Sequence, residues 1–252
     1  MDEKSFGTRS KRQPADETRR KMLDAAVRQV KEQGLELDFA NLNLEEFIRV
    51  AGVPRSTVFR IWPDRRAFVA DLISALFESN PEMGQGFDEE TFRIVEQVIA
   101  DNADDLRTPE GRVKLIAEAA RIGGARNLAA VSHSRPWAIQ RSILSAAMSG
   151  ADAVADDAVR EALLALEERF RSRMEQMYAT WAELFQRRMV PGITPRDIAI
   201  CSAALVEGIV ERRVFSDPLP PRTLAVGGGE PQEWEIGAFA LFAIFITFTE
   251  ET

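Results

Sequence analysis

Arg55, Ser56, Thr57 and Arg60 fall within the short segment PRSTVFRI that follows Gly52 and Val53. A guanidinium group can pair with a guanine edge through two parallel hydrogen bonds, and hydroxyls can reach phosphate oxygens. This set of side chains therefore suits a major groove if one helix face carries all four. The pattern supplies such a face, because Val53, Val58 and Ile61 can point inward and leave the polar residues outside. Pro54 is tolerated only in a first helical turn, so the helix should start at about that residue.

A second element must hold that helix in place. Leu44, Phe47, Ile48 and Ala51 recur at i, i+3, i+4 and i+7, which is one apolar stripe on a helix of about two turns. Asn43 is a strong N-cap type, Glu45 and Glu46 complement the positive end of the helix dipole, and Gly52 can take the left-handed conformation that ends the helix. The whole reads as a helix-turn-helix. Short helical hairpins with a glycine turn also occur in helical proteins that never meet DNA, so the flanks matter. Upstream, Thr18 to Gly34 has Met22, Ala25, Ala26, Val30 and Gln33 near one face and Gly34 as its stop. Downstream, Pro63 and Asp64 punctuate before RRAFVADLISALFES, where Phe68, Leu72, Ala75 and Leu76 form another stripe.

With those flanks in view, the chain resembles the tetracycline-repressor-like (TetR) family of transcriptional regulators. The resemblance covers roughly Thr18 to Leu72: MLDAAVRQVKEQG is similar to the family's first helix, and AGVPRSTVFRIWPDRRAF follows its helix-turn-helix signature in order and without gaps. By that likeness, Asn43 stands where a threonine usually caps the second helix and touches phosphate. Thr57 takes the place of the recognition-helix threonine, Phe59 that of a tyrosine, Trp62 that of a phenylalanine, and Arg65 that of a lysine that reaches backbone phosphate. The resemblance implies that Arg55, Ser56, Thr57 and Arg60 read bases or nearby phosphates, while Asn43, Trp62, Arg65 and Arg66 fix the backbone register. Four positions depart from the family pattern. Phe59 lacks the tyrosine hydroxyl, Ser56 replaces a common glycine, Ile61 replaces a frequent histidine, and Arg66 replaces a frequent glutamate, which leaves a tandem basic pair.

Charge agrees with this division of labour. The 252 residues carry a net charge of -8, yet residues 1 to 75 hold 14 Lys/Arg against 12 Asp/Glu and the remainder 18 against 28. The acidity belongs to the second part. Residues 1–16 form a polar arm with Lys4, Arg9, Lys11 and Arg12, suited to trailing along phosphates or to being an ordinary unstructured terminus. No secretory signal is visible, and the most apolar run, Ile236 to Phe248, is shorter than the roughly 20 residues of a membrane span. The single cysteine, Cys201, cannot form an internal disulfide, which points to a reducing cytoplasm, and its apolar setting predicts a buried structural thiol.

An enzyme is disfavoured by the inventory. His133 is the only histidine, so no histidine cluster for zinc exists, and neither a GxSxG elbow, a phosphate-cradling GxxxxGK[ST], nor a GxGxxG after a strand occurs. No cofactor and no metal are expected. A hidden carboxylate pair stays open, although the acidic doublets read most simply as solvated helix faces.

The expected architecture is all-α: an arm over 1–16, a three-helix head over 17–64, and a larger helical domain over 65–252. Thr108-Pro109 and Thr194-Pro195 each place a cap before a proline, and Asp197 follows Thr194 at the spacing of a capping box. One long helix is expected from Ala153 to Met189. The last two helices, Ile198 to Val214 and Trp234 to Phe248, are so apolar that they should pack against their copies in a homodimer, through Ala203, Val206, Ile209, Val210, Phe239, Phe242 and Phe245. The resemblance implies the same use of these helices. It also implies an apolar pocket for a small effector in the larger domain, for which Arg121, His133, Trp137, Tyr178 and Trp181 are the candidates with polar handles. The Pro- and Gly-rich stretch 217–233 suggests no role. The expected function is ligand-responsive regulation at a near-palindromic DNA operator, usually repression. A helical dimer that binds a small molecule or protein without reading DNA stays open as the alternative.

Overall fold

The computed structural model describes residues 15–33, 42–79, 87–148, 157–213 and 215–252. Residues 1–14 of the expected arm and the Gly34 stop lie outside these residues, while Ala15 and Asp16, expected in the arm, open the first helix. Among the described residues the fold is all-α apart from four three-residue strands, and it divides into two units.

The first unit gathers α1 (Ala15–Gln33), α2 (Leu44–Ala51), α3 (Arg55–Ile61) and α4 (Arg65–Glu78), together with the described residues 141–148 and 157–163. α1 packs on α2, α3 and α4 through Met22, Ala26 and Val30, which are fully or almost fully buried. Asn43 caps α2, its side chain accepting from the Glu45 and Glu46 backbone N–H groups at 3.1 and 3.4 Å. Gly52 ends α2 in the left-handed region at φ 62°, where a side-chain-bearing residue is strained. Asp64 then caps α4 by accepting from the Ala67 N–H at 2.9 Å. α4 contributes Phe68, Leu72 and Leu76, all at 0% exposure, to the core of this unit. The expected boundary after residue 64 therefore falls too early, since α4 belongs with the head whose core it fills.

The second unit holds α5 (Glu89–Asp101), a 3-10 turn (Ala103–Arg107), α6 (Pro109–His133), α9 (Pro195–Arg212) and α10 (Ile236–Phe248). It also includes the start of α7 (Arg135–Met148) and most of α8 (Asp157–Leu184). Its core assembles Leu115 and Ile116 of α6, Met174 and Tyr178 of α8, Ile198 of α9, and Phe242 and Phe245 of α10. α6 and α10 approach closely, because a Cβ placed on Gly124 would come within 3.0 Å of the Ala238 methyl. Both proline-led starts form as the sequence indicates: Thr108 accepts from the Gly111 N–H, and Thr194 and Asp197 complete a reciprocal capping box.

Three details differ from the sequence reading. α8 stops at Leu184 rather than Met189, because Gln186 turns to φ 50° and Arg187–Met189 becomes β1, paired antiparallel with β4 (Thr249–Glu251). The stretch 217–233 contains most of a small hairpin in which β2 (Arg222–Leu224) pairs with β3 (Gln232–Trp234). Gly227 sits at φ 64°, where a Cβ would meet the Ala117 methyl and the Val113 carbonyl at 2.9 Å. Cys201 is exposed, on the side of α9 away from Ile198, Ser202 and Val206, so it is no core thiol. No helix among the described residues is long and apolar enough to cross a membrane.

The residues expected at the dimer interface divide into two groups. Val206, Val210, Phe242 and Phe245 are at most 8% exposed within one chain and serve its own core, so they are unavailable to a partner. Ala203, Ile209 and Phe239 are half-buried. The exposed small or apolar residues of α9 are Ile200, Cys201 and Ala204, while Gly208, Ala240 and Ala243 are half-buried like Ala203, Ile209 and Phe239. An all-round apolar helix marks its own burial but not which side its own chain covers.

Candidate nucleic-acid interface and ligand cavity

α3 is a seven-residue helix that buries Val58 completely and presents Arg55, Ser56, Phe59 and Arg60 to solvent, with Thr57 half-exposed. Arg65 and Arg66 are exposed on the first turn of α4. The sequence-predicted cations thus fall on α3 and the start of the next helix, all within the first unit.

One of these side chains, Arg55, is held before any partner arrives. The Arg55 Nε donates to Glu45 Oε1 at 2.8 Å, and its guanidinium carbon lies 5.2 Å from the centre of the Phe59 ring. Both partners of this ion pair are more than half exposed, so solvent screens it and its release costs little. Phe59 thus stands where the resemblance places a hydroxyl, and here its ring face supports a cation.

Trp62 has another role than the phosphate contact expected of it. It is 1% exposed, packs edge-on against Phe68 with ring centres 5.0 Å apart, and donates its indole N–H to Asp71 at 2.6 Å. Asp71 also binds Arg19 of α1 at 2.7 Å, so one carboxylate ties α1, α4 and the residue that ends α3. Asn43, already engaged as a cap, is exposed at the start of α2.

The second unit contains a cavity of about 360 Å³ between α6, the start of α7, α8 and α9. Phe170, Met174 and Trp137 supply apolar wall, and His133 stands at the margin with its Nδ1–H donating to the Ala129 carbonyl at 2.8 Å. Tyr178 lines the same space and is 4% exposed; burial pushes its phenol up to about 12, while the Ser202 hydroxyl beside it acts in the opposite direction. Of the five sequence candidates, His133, Trp137 and Tyr178 come together here. Trp181 does not: it stacks edge-on against Tyr178 at 5.8 Å and faces a separate apolar gap of about 50 Å³. Arg121 does not either, being paired with Glu118 at 2.7 Å, a contact that holds its guanidinium more firmly protonated.

Sequence reasoning missed the polar floor of the cavity. Asn127, Gln140 and Ser202 line it and are 2, 8 and 4% exposed. The available signal was a lone amide, Asn127, in the otherwise apolar or small run NLAAV of α6.

No protein-family model matches the chain, and no curated protein does. Among solved structures, two crystal structures of NalD from Pseudomonas aeruginosa are similar to it at 20% identity, with TM-scores of 0.41 and 0.40. They cover 94 and 93% of this chain and 98 and 96% of their own. NalD is described as the secondary repressor of the MexAB-OprM multidrug efflux pump. The overlap is loose, so the functional reading rests on the geometry of the head and of the cavity.

Proposed function

We propose that this chain is a TetR-like transcriptional regulator, a repressor that binds a near-palindromic operator as a homodimer and responds to a small molecule. The observation that supports it most is the exposed polar face of α3, flanked by Arg65 and Arg66 and backed by the buried core of α1 to α4. In this reading Arg55, Ser56, Thr57 and Arg60 enter the major groove, and Asn43, Arg65 and Arg66 lie along phosphates. Trp62 sets the angle at which α3 leaves its support.

The dimer forms through the outer faces of α9 and α10, with Ala204, Gly208, Ala240 and Ala243 allowing close approach. The cavity of the second unit takes the effector. Effector and operator are coupled only to the extent that the effector binds the DNA-competent conformer and its alternative with different affinities.

Gel shifts against random duplexes at several salt concentrations test the reading. A steep fall of affinity with salt and enrichment of a palindrome are expected. Arg65→Ala should weaken all sequences alike and reduce the salt slope by about one, whereas Arg60→Ala should change which operator wins. The reverse pattern would overturn these roles. Absence of binding to any duplex would leave the helical dimer that recognises a small molecule or protein instead.

A further inference from the structure

The cavity of the second unit holds a buried polar atom that the protein leaves unused. Asn127 Oδ1 is buried with no hydrogen-bond partner, and Ser202 Oγ, equally buried, has the Tyr178 hydroxyl beside it and no other partner. A buried acceptor left bare normally costs stability and is rare, which makes Asn127 Oδ1, lining a cavity beside a second buried hydroxyl, a sign of a group that arrives from outside. The charges around the cavity are, by contrast, already engaged. Arg126 meets Asp88 at 3.1 Å, Glu167 lies 3.7 Å from Arg171, and Arg135 and Glu207 have partners of their own. An ionic ligand would find no uncompensated countercharge and would lose its hydration on entry. The volume, about 360 Å³, is near the lower end of the roughly 300–1,000 Å³ of small-molecule sites, and the wall is aromatic and thioether.

We propose that this cavity takes an uncharged compound of one or two aromatic rings carrying a hydrogen-bond donor, with that donor on Asn127 Oδ1 and the Ser202 hydroxyl completing the contact. The ring lies against Trp137 and Met174. The assignment deepens the effector reading above and rests on it for its regulatory meaning, while binding itself needs no DNA.

Titration calorimetry on the full chain with 2-naphthol, naphthalene and 2-naphthoate at neutral pH tests it. These probes share one ring frame and differ in donor and charge. 2-Naphthol should bind about ten-fold tighter than either of the others, the discrimination expected when a buried acceptor gains or lacks its partner. Asn127→Leu should bring 2-naphthol close to naphthalene while leaving naphthalene binding in place, and Ser202→Ala should narrow the preference by a smaller factor. Thermal melting confirms that each variant folds, and Ser202→Ala, which removes a single atom, carries the test if Asn127→Leu does not. Tightest binding of 2-naphthoate, equal binding of naphthalene, no binding of any probe, or variants that keep the full preference would each overturn the proposal. If 2-naphthol shows the preference but no duplex is bound, the regulator reading fails and the aromatic-ligand site stands. Duplex binding without the preference would keep the regulator and remove this ligand.

Discussion

Asp71 accepts from the Trp62 indole on one side and pairs with Arg19 on the other, so a single carboxylate joins the end of α3 to α1. Trp62→Phe keeps a ring against Phe68 but removes the indole donor and part of the volume. It should lower stability by about 2 kcal/mol, read from denaturant unfolding, because a partly buried acceptor loses one partner and a small void opens. Unchanged stability would mean that Asp71 is served by Arg19 alone. This was the residue on which sequence and structure parted most clearly in the head. A tryptophan beside arginines fits a phosphate path and a core equally well until the neighbouring helix is placed. The arginines themselves were legible, since a seven-residue helix with one buried valine leaves little room for them inside. Asn127 was not, because one amide in an apolar run reveals its missing partner only when its surroundings are known.

Turns and caps were the most readable elements, for they depend on local backbone chemistry alone. Asn43 before α2, Gly52 after it and the Thr194–Asp197 box of α9 each satisfy helix-end groups by the means their residue types suggest. Gly52→Ala should cost about 1 kcal/mol although a Cβ there would touch nothing within 4 Å, because the left-handed conformation disfavours any residue with a Cβ. A lowered melting midpoint checks this, and an unshifted one would show that the turn can relax to negative φ. The strands escaped notice for an equally local reason: three residues are too few to display an alternating pattern. The end of α8 was hidden because Gln186, not glycine, takes the positive φ.

For the whole molecule, the apolar C-terminal helices were legible as something that needs covering, while which of their faces the chain itself covers was not. Burial of Phe242 and Phe245 within the chain moves the proposed pairing surface to Ala204, Gly208, Ala240 and Ala243. Gly208→Leu distinguishes the two possibilities, since an added side chain meets open space in a single chain. Light scattering should report a dimer for the parent chain and a monomer for this variant, with helical content unchanged; a variant that stays dimeric would place the contact elsewhere. The uneven distribution of charge fits the same division, with a nearly balanced head and an acidic remainder that would shun nucleic acid except where the head presents it.

The exposed Cys201 gives this chain a chemical handle. As the only thiol, lying on the face of α9 through which the proposed dimer forms, it would react with a maleimide in a single chain and be shielded in an assembled pair. The rate of labelling would then report assembly directly, with and without a bound aromatic compound.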